Sequence, residues 1–267
     1  MNDISKSEKS KKNRKKRKNF RPVNLIAPFV VLLIIFTAAE LVATYTGISE
    51  YILPKPSKIF SGTIEKFGPD IAQHFFFTLR VILIGFVCST AGGMLLAAVF
   101  SQFSIVTKAV SPVIVWLVIT PMITLVPLLV LWLGPDPNLR MWVVIVQATP
   151  IITLNMLNGF TNVETEKLEL AKSVGASRIQ RFRKIIFMNA MPQVFTGIKL
   201  GCINATIAAL SADFVSGNRG MGFRITQYTK YNMTYLAYGC ILLIVLIGLT
   251  TYSIVSAVER RVVIWKN

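Results

Sequence analysis

Residues able to do covalent chemistry are sparse in this sequence and stand in no catalytic spacing. It holds no paired carboxylates, no histidine cluster and no nucleophile–base set, so it nominates no catalytic residue. The single histidine, His74, lies where an apolar run begins, with no carboxylate or second ligand close in sequence, and reads as an interfacial residue. Cys88, Cys202 and Cys240 fall inside apolar runs without metal-type spacing; they read as small packing residues, and no metal site is predicted. No G-x-x-x-x-G-K-S/T occurs, so the chain does not cradle nucleotide phosphates in that way. Energy for any work must come from another polypeptide or from an ion gradient.

The interval with the most chemical character is Glu164 to Pro192, the longest polar stretch after the N-terminus. Its spacing predicts two short helices joined at Gly175. Glu164 and Glu166 open the first and Lys172 lies near its end, which suits the helix dipole at both ends. Glycine takes the left-handed geometry without steric cost, so Gly175 marks the stop. Ser177 with Gln180 forms a capping box that starts the second helix. There Ile179, Phe182, Ile185 and Ile186 fall on one face, and Arg178, Arg181 and Lys184 on another. A basic amphipathic hairpin of this kind can lie among lipid headgroups or dock on a partner.

The elements around it are apolar. Of 267 residues 53% are hydrophobic and the mean hydropathy is +0.58, outside the range of soluble domains and suited to several membrane spans. Spans are expected at about 24–45, 75–100, 111–133, 140–160, 194–215 and 235–257. Pro121 and Pro127 should kink the third and Pro150 sits mid-way in the fourth; prolines at membrane depth are tolerated where a cavity or neighbouring helix meets the freed carbonyls. Between the first two spans, LPKPSKIF imposes extended chain, after which Ser57 is placed to cap a short helix towards Phe67. The fold class is therefore all-α membrane protein with six transmembrane helices. The expected divisions are a disordered basic arm at 1–22, a first helix at 23–47 and a transmembrane domain at 48–267 carrying the hairpin at 162–192.

The formal charge of +17 raises nucleic acid as a ligand, but its distribution argues against that. Ten of the 29 Lys and Arg residues lie between Lys6 and Arg21, in an arm suited to orienting the first span and touching anionic lipid. With the N-terminus in the cytoplasm, six spans return the C-terminus to the same side. Twenty cations then fall on cytoplasmic segments, including six in the hairpin, against seven outside; without the arm the ratio is ten to seven. The hairpin is predicted to be cytoplasmic.

Glu169, Ala171 and Gly175 fit the E-A-A-x-x-x-G core of the coupling loop of binding-protein-dependent ABC transporter permeases, and Ile185 follows ten residues after the glycine as in that pattern. Leu170 replaces the second alanine, and Phe187-Met188 replaces the usual Leu-Pro, so a helix break is expected later, at Pro192. With LPKPSKIF, TLRVILIGF, TPMITLVPLLVLWLG, SADFVSGNRGMGF and ERRVVIW, the chain from about Tyr51 to Trp265 resembles the subgroup importing nitrate, sulfonates, taurine and pyrimidine-type vitamin precursors.

The resemblance implies a five-helix core preceded by one extra helix, pairing of two permeases, two cytoplasmic ATPase subunits and an extracytoplasmic solute-binding protein or lipoprotein. ATP and Mg2+ would be bound by the ATPase, and this chain needs no cofactor. Glu169, Leu170, Ala171, Gly175, Ala176, Ser177 and Arg178 would form the ATPase contact, with Ala171 and Ala176 allowing close approach. Asp213 lies where the family usually has an acid; an ionisable group at membrane depth costs roughly 2.5–3.5 kcal/mol, so it faces protein or water. It is either an interfacial acid capping the loop that follows or, with Pro121 and Pro127, a pathway or gate residue paired with Arg219 or Arg224. An ion-coupled secondary transporter is the alternative, yet its span centres would need coupling charges that are nearly missing here. A membrane-embedded enzyme lacks any catalytic set.

Overall fold

Long runs of Leu, Ile, Val and Ala without charge close their backbone hydrogen bonds within helices, the only open-ended solution at membrane depth. The structure, a computed structural model, describes residues 23–134, 138–215 and 217–266, and among these there is no strand. The basic arm lies outside the described residues. The chain divides into two units, one through Lys58 and one from Ile59.

In the first unit, helix α1 spans Val23–Tyr45. Helix α2, Pro56–Lys66, begins in this unit and continues into the next; it starts with proline in its first turn, where the missing N–H costs nothing. Ser57 was expected to cap this helix. Instead its N–H and hydroxyl both donate to the Glu40 carboxylate, at 3.0 and 2.7 Å. Lys58 pairs with Glu50 nearby, which holds the Glu50 carboxyl below its ordinary range.

The second unit continues through a π-turn, Phe67–Ile71, into α3, Ala72–Phe100, and then α4, Ser104–Ile119, and α5, Met122–Leu133. Helix α6 covers Leu139–Thr161 and α7 Thr165–Ser173. Helix α8, Arg178–Arg181, a π-turn at Phe182–Ile186 and α9, Phe187–Val215, follow without interruption over 38 residues. Helix α10 is Met221–Lys230 and α11 Thr234–Val262, with a final 3-10 turn at Ile264–Lys266.

Helix α6 is the centre. Val143, Val144, Ala148, Ile152 and Met156 are wholly buried, and its neighbours meet it through glycine. A Cβ on Gly85 or Gly93 of α3 would fall within 2.5–2.8 Å of Val144 or Ile152, and one on Gly201 of α9 within 2.5 Å of Ile152. Helix α9 adds Ala190, Ala205, Ala208, Ala209 and Ala212 to the same contact. Lipid offers no hydrophobic drive between helices, so such small residues, by letting backbones approach, supply the packing. Ile71, Met221, Tyr228, Leu236 and Cys240 form a smaller core around α10.

Among the described residues, four helices are long and apolar enough to cross a membrane, and the bent pair α4 and α5 brings the number up to five. In α1 the apolar stretch Val30–Tyr45 adds a further helix of shorter length. The third expected span differs most. It begins at Ser104 and bends by 99° between Ile119 and Met122. Thr120 and Pro121 are extended, ψ 121° and 116°, because the residue before a proline is pushed out of the helical region. Pro127 makes no break: α5 runs through it, held by buried Met122 and Val126. Pro192, too, lies inside an unbroken helix, so the second hairpin helix is the beginning of α9's long rod rather than a separate element.

Candidate functional site

Two groups of residues can do something specific, and they lie at opposite ends of the α8–α9 rod. Arg178 and Asp213 are separated by 35 helical residues, about 50 Å at 1.5 Å per residue.

At one end is the hairpin. Gly175 has φ +73°, and the turn is a Schellman closure: Gly175 N–H donates to Lys172 O and Ala176 N–H to Ala171 O, both at 3.0 Å. The next helix starts at once. Gln180 N–H donates to Ser177 Oγ at 3.3 Å and Ser177 N–H to Gln180 Oε1 at 2.8 Å. Two terminal carbonyls of the first helix and two orphan donors of the second are therefore met locally, which stiffens the corner. At its root, Phe182 packs edge-on to Phe160 with ring centroids 5.3 Å apart, tying the hairpin to the end of α6.

The hairpin turns apolar side chains outward. Leu170 is 68% exposed, Val174 75% and Ile179 71%, with Glu169 and Arg178 exposed beside them. Ile179 was expected on the packed face with Phe182, Ile185 and Ile186, which are half-buried. The π-turn adds one residue to a turn, which sets Ile185 and Ile186 about 100° out of phase with Ile179, and Ile179 lies nearer the free end of the rod than the Phe182–Phe160 contact. Ala171 is 5% exposed. Its small size serves packing of α7 within this chain. Ala176 is half-buried and Ser177 exposed. Leu170, Ile185, Met188 and Trp265 line a groove of about 410 Å³ rimmed by Lys167 and Lys184.

At the other end, Asp213 is buried and its partner is Arg140, neither Arg219 nor Arg224. Arg140 Nε donates to Asp213 Oδ1 at 3.0 Å, and the two side chains are 7% and 2% exposed. Thr78 Oγ1 donates to Asp213 Oδ2 at 2.8 Å and accepts the N–H of Met221 at 2.9 Å. Arg140 also reaches Asn218 Oδ1, 3.1 Å away. His74, in the first turn of α3, is buried, and its Nδ1 accepts the N–H of Gly220 at 3.1 Å. Together these bonds bind the 217–222 loop onto α3, α6 and α9. Gly220 is required there, with φ +100° and the Asp213 carboxylate 2.1 Å from where a Cβ would stand. Arg224 is engaged elsewhere, with Asp70, which also accepts from Tyr228 Oη at 2.6 Å. Burial raises the Tyr228 phenol above its ordinary pKa.

Pro121 stands at the 99° break and Pro127 inside α5, and neither element supplies a hydrogen-bond partner to Asp213. Sequence reasoning placed Arg140 in an external loop; its position in the first turn of an apolar run, with one acid at the end of another, was the available signal.

The chain is similar to known proteins over most of its length. The chain is 26% identical over 251 residues to the formylaminopyrimidine transport permease protein of Halalkalibacterium halodurans, covering 92% of this chain and 98% of that one. It is 23% identical over 240 residues to the taurine transport system permease protein of Escherichia coli, covering 88% and 87%. To the riboflavin transport system permease protein of Chloroflexus aurantiacus it is 26% identical over 236 residues, covering 88% and 87%. Among solved structures, an amino acid ABC transporter with histidines shares the fold at TM-score 0.61 and 16% identity, covering 74% of this chain and 97% of that one. The methionine ABC transporter in its inward-facing conformation gives TM-score 0.54 and 20% identity, covering 72% and 95%. The pattern of the binding-protein-dependent transport system inner membrane component matches residues 89–264, two-thirds of the sequence, and this chain belongs to that family of ABC transporter permeases.

Proposed function

We propose that this chain forms half of the solute pathway of an ATP-driven importer and is driven by a separate ATPase through the 164–192 hairpin. The observation that carries the reading is the hairpin's stiff corner, which presents Leu170, Val174 and Ile179 outward from an otherwise charged element. Apolar side chains grouped on a polar surface mark a contact. Glu169 and Arg178 beside them give the contact its charge pattern, and Leu170, Gly175, Ala176 and Ser177 give it shape. Nothing lies within 4 Å of a Cβ at Gly175, so beyond the backbone strain of its positive φ a side chain there would be felt by a partner.

In this reading the ATPase subunits, two per complex, hold ATP and Mg2+, and this chain hydrolyses nothing itself. Two permease copies pair, and a solute-binding protein or lipoprotein delivers the solute from outside. The arm, the hairpin and both termini face the cytoplasm, with the arm against anionic lipid; nucleic acid is not a partner. Relatives named for formylaminopyrimidine, taurine and riboflavin transport support a small organic or inorganic anion (a sulfonate, taurine or nitrate) or a pyrimidine or vitamin precursor as the solute.

The test is co-purification of the ATPase with Gly175→Glu and Glu169→Lys variants. The first puts a side chain at positive φ, a strain of about 1–2 kcal/mol, and fills the contact; the second reverses a charge there, where like-charge juxtaposition costs several kcal/mol. Both should lose ATPase while still inserting in the membrane. Parent-like retention and uptake by both variants would make the hairpin a surface helix only.

A further inference from the structure

Amide side chains recur where helices α6 and α9 run side by side. The two helices are antiparallel. Their contacts pass from Arg140 with Asp213, through Gln147 with Asn204 and Asn155 with Gly197, to Gly159 with Gln193. Along this seam Gln147, Asn155 and Asn204 are half-buried, and Asn158 and Gln193 are exposed. Gln147 and Asn155 flank the middle of α6, about 12 Å and about 9 Å from the nearer end of that 23-residue helix at 1.5 Å per residue. They therefore lie at hydrocarbon depth.

Their hydrogen bonds are only partly met. Gln147 Nε2 donates to Asn204 Oδ1 at 3.1 Å, and the amide nitrogens of Asn155 and Asn204 donate to carbonyls one turn back, Ile151 O and Leu200 O. Among the described residues, no donor reaches Gln147 Oε1, and Asn158 and Gln193 make no side-chain hydrogen bond. An amide used only to join two helices is buried between them. These stand open at the seam's surface, and hydrocarbon cannot solvate them. Charge is kept away from the same surface: Lys199 on α9 is turned to Glu259 of α11, 2.7 Å away, and Arg140 closes on Asp213.

We infer that Gln147, Asn155, Asn204 and Gln193 line the solute pathway, forming an uncharged, hydrogen-bonding wall for a small polar solute. An amide both donates and accepts, so one wall serves an oxyanion and a heterocycle alike. Without a fixed charge it provides no deep well in which the solute would lodge, as passage requires. This inference rests on the pathway reading above.

The experiment uses the assembled transporter in membrane vesicles opened to both faces, in a Cys88→Ser background because Cys88 is exposed while Cys202 and Cys240 are buried. Single Gln147→Cys, Asn155→Cys and Asn204→Cys variants are treated with the water-borne, anionic reagent 2-sulfonatoethyl methanethiosulfonate. Leu249→Cys, on the outward apolar face of α11, is the control. The seam thiols should react at least about tenfold faster than the control, since a thiol reached by water ionises and one in hydrocarbon does not. Denaturing before labelling counts the thiols present, so a poorly folded variant is recognised, and three positions are available. Rates no faster than the control overturn the inference. So does a spontaneous disulfide between two copies at an otherwise unreactive position, which would make the seam a dry contact. ATP-driven uptake by the Cys88→Ser parent, measured in sealed vesicles, separates the two layers: no uptake removes the pathway reading itself, whereas uptake with unreactive seam thiols removes only the amide wall.

Discussion

The Arg140–Asp213 pair offers the sharpest quantitative expectation. Removing the acid with Asp213→Ala leaves a guanidinium that is 7% exposed without its counter-charge. Breaking a buried pair from one side costs about 3–5 kcal/mol. Thr78 loses an acceptor as well, a further cost of about 1 kcal/mol. Arg140→Met strands the carboxylate and releases Asn218, with a loss of similar size. Replacing both, Arg140→Met with Asp213→Leu, removes the two desolvated charges together, and such exchanges are often neutral or stabilising. The double variant should therefore be more stable than either single one, with only the loop's hydrogen bonds lost. Thermal unfolding in nanodiscs, followed by tryptophan emission, reads the cycle. At about 2–4 °C per kcal/mol for a domain near this size, each single variant should fall by roughly 6–20 °C, and the double variant by much less. If the double variant falls by the sum of the two singles, the charges are not coupled and the account of this end of the molecule is wrong.

Two other expectations follow from the same geometry. Gly220→Ala should mimic loss of the acid, because φ +100° with ψ 171° is a region costing about 1–3 kcal/mol for other residues and the methyl would displace the Asp213 carboxylate; in an Asp213→Ala background the penalty in unfolding temperature should shrink to the backbone part. In intact cells a membrane-impermeant thiol reagent should label Lys230→Cys at the end of α10 and leave Ser177→Cys in the hairpin unlabelled. The reverse pattern would invert the orientation taken from the Lys and Arg distribution.

The hairpin corner was legible because its rules are local. A positive φ at Gly175 and the reciprocal Ser177–Gln180 bonds depend on neighbours three residues away, and all appear as expected. The register beyond them was not legible: one π-turn at Phe182–Ile186 sets Ile185 and Ile186 out of phase with Ile179, and helical periodicity carries no mark of an inserted residue. Proline was also ambiguous. Pro121, Pro127 and Pro192 look alike in sequence, yet only Pro121 marks a break, since packing around Met122 and Val126 carries α5 through Pro127. Least legible were the long-range pairs. Asp213 meets Arg140 across 73 residues and Arg224 meets Asp70 across more than 150, and charge sign alone offered Arg219 or Arg224 equally well. Which buried charges meet is decided by the glycine-mediated approach of α6 to α3 and α9, a property of the whole fold.

The central claim is that a separate ATPase drives this permease through its hairpin. The most direct measurement is solute accumulation in proteoliposomes containing this chain, the ATPase and the binding protein. Accumulation should require ATP, persist when ionophores collapse every ion gradient, and disappear in the Glu169→Lys variant. Accumulation driven by an ion gradient without ATP, and unaffected by that substitution, would contradict it.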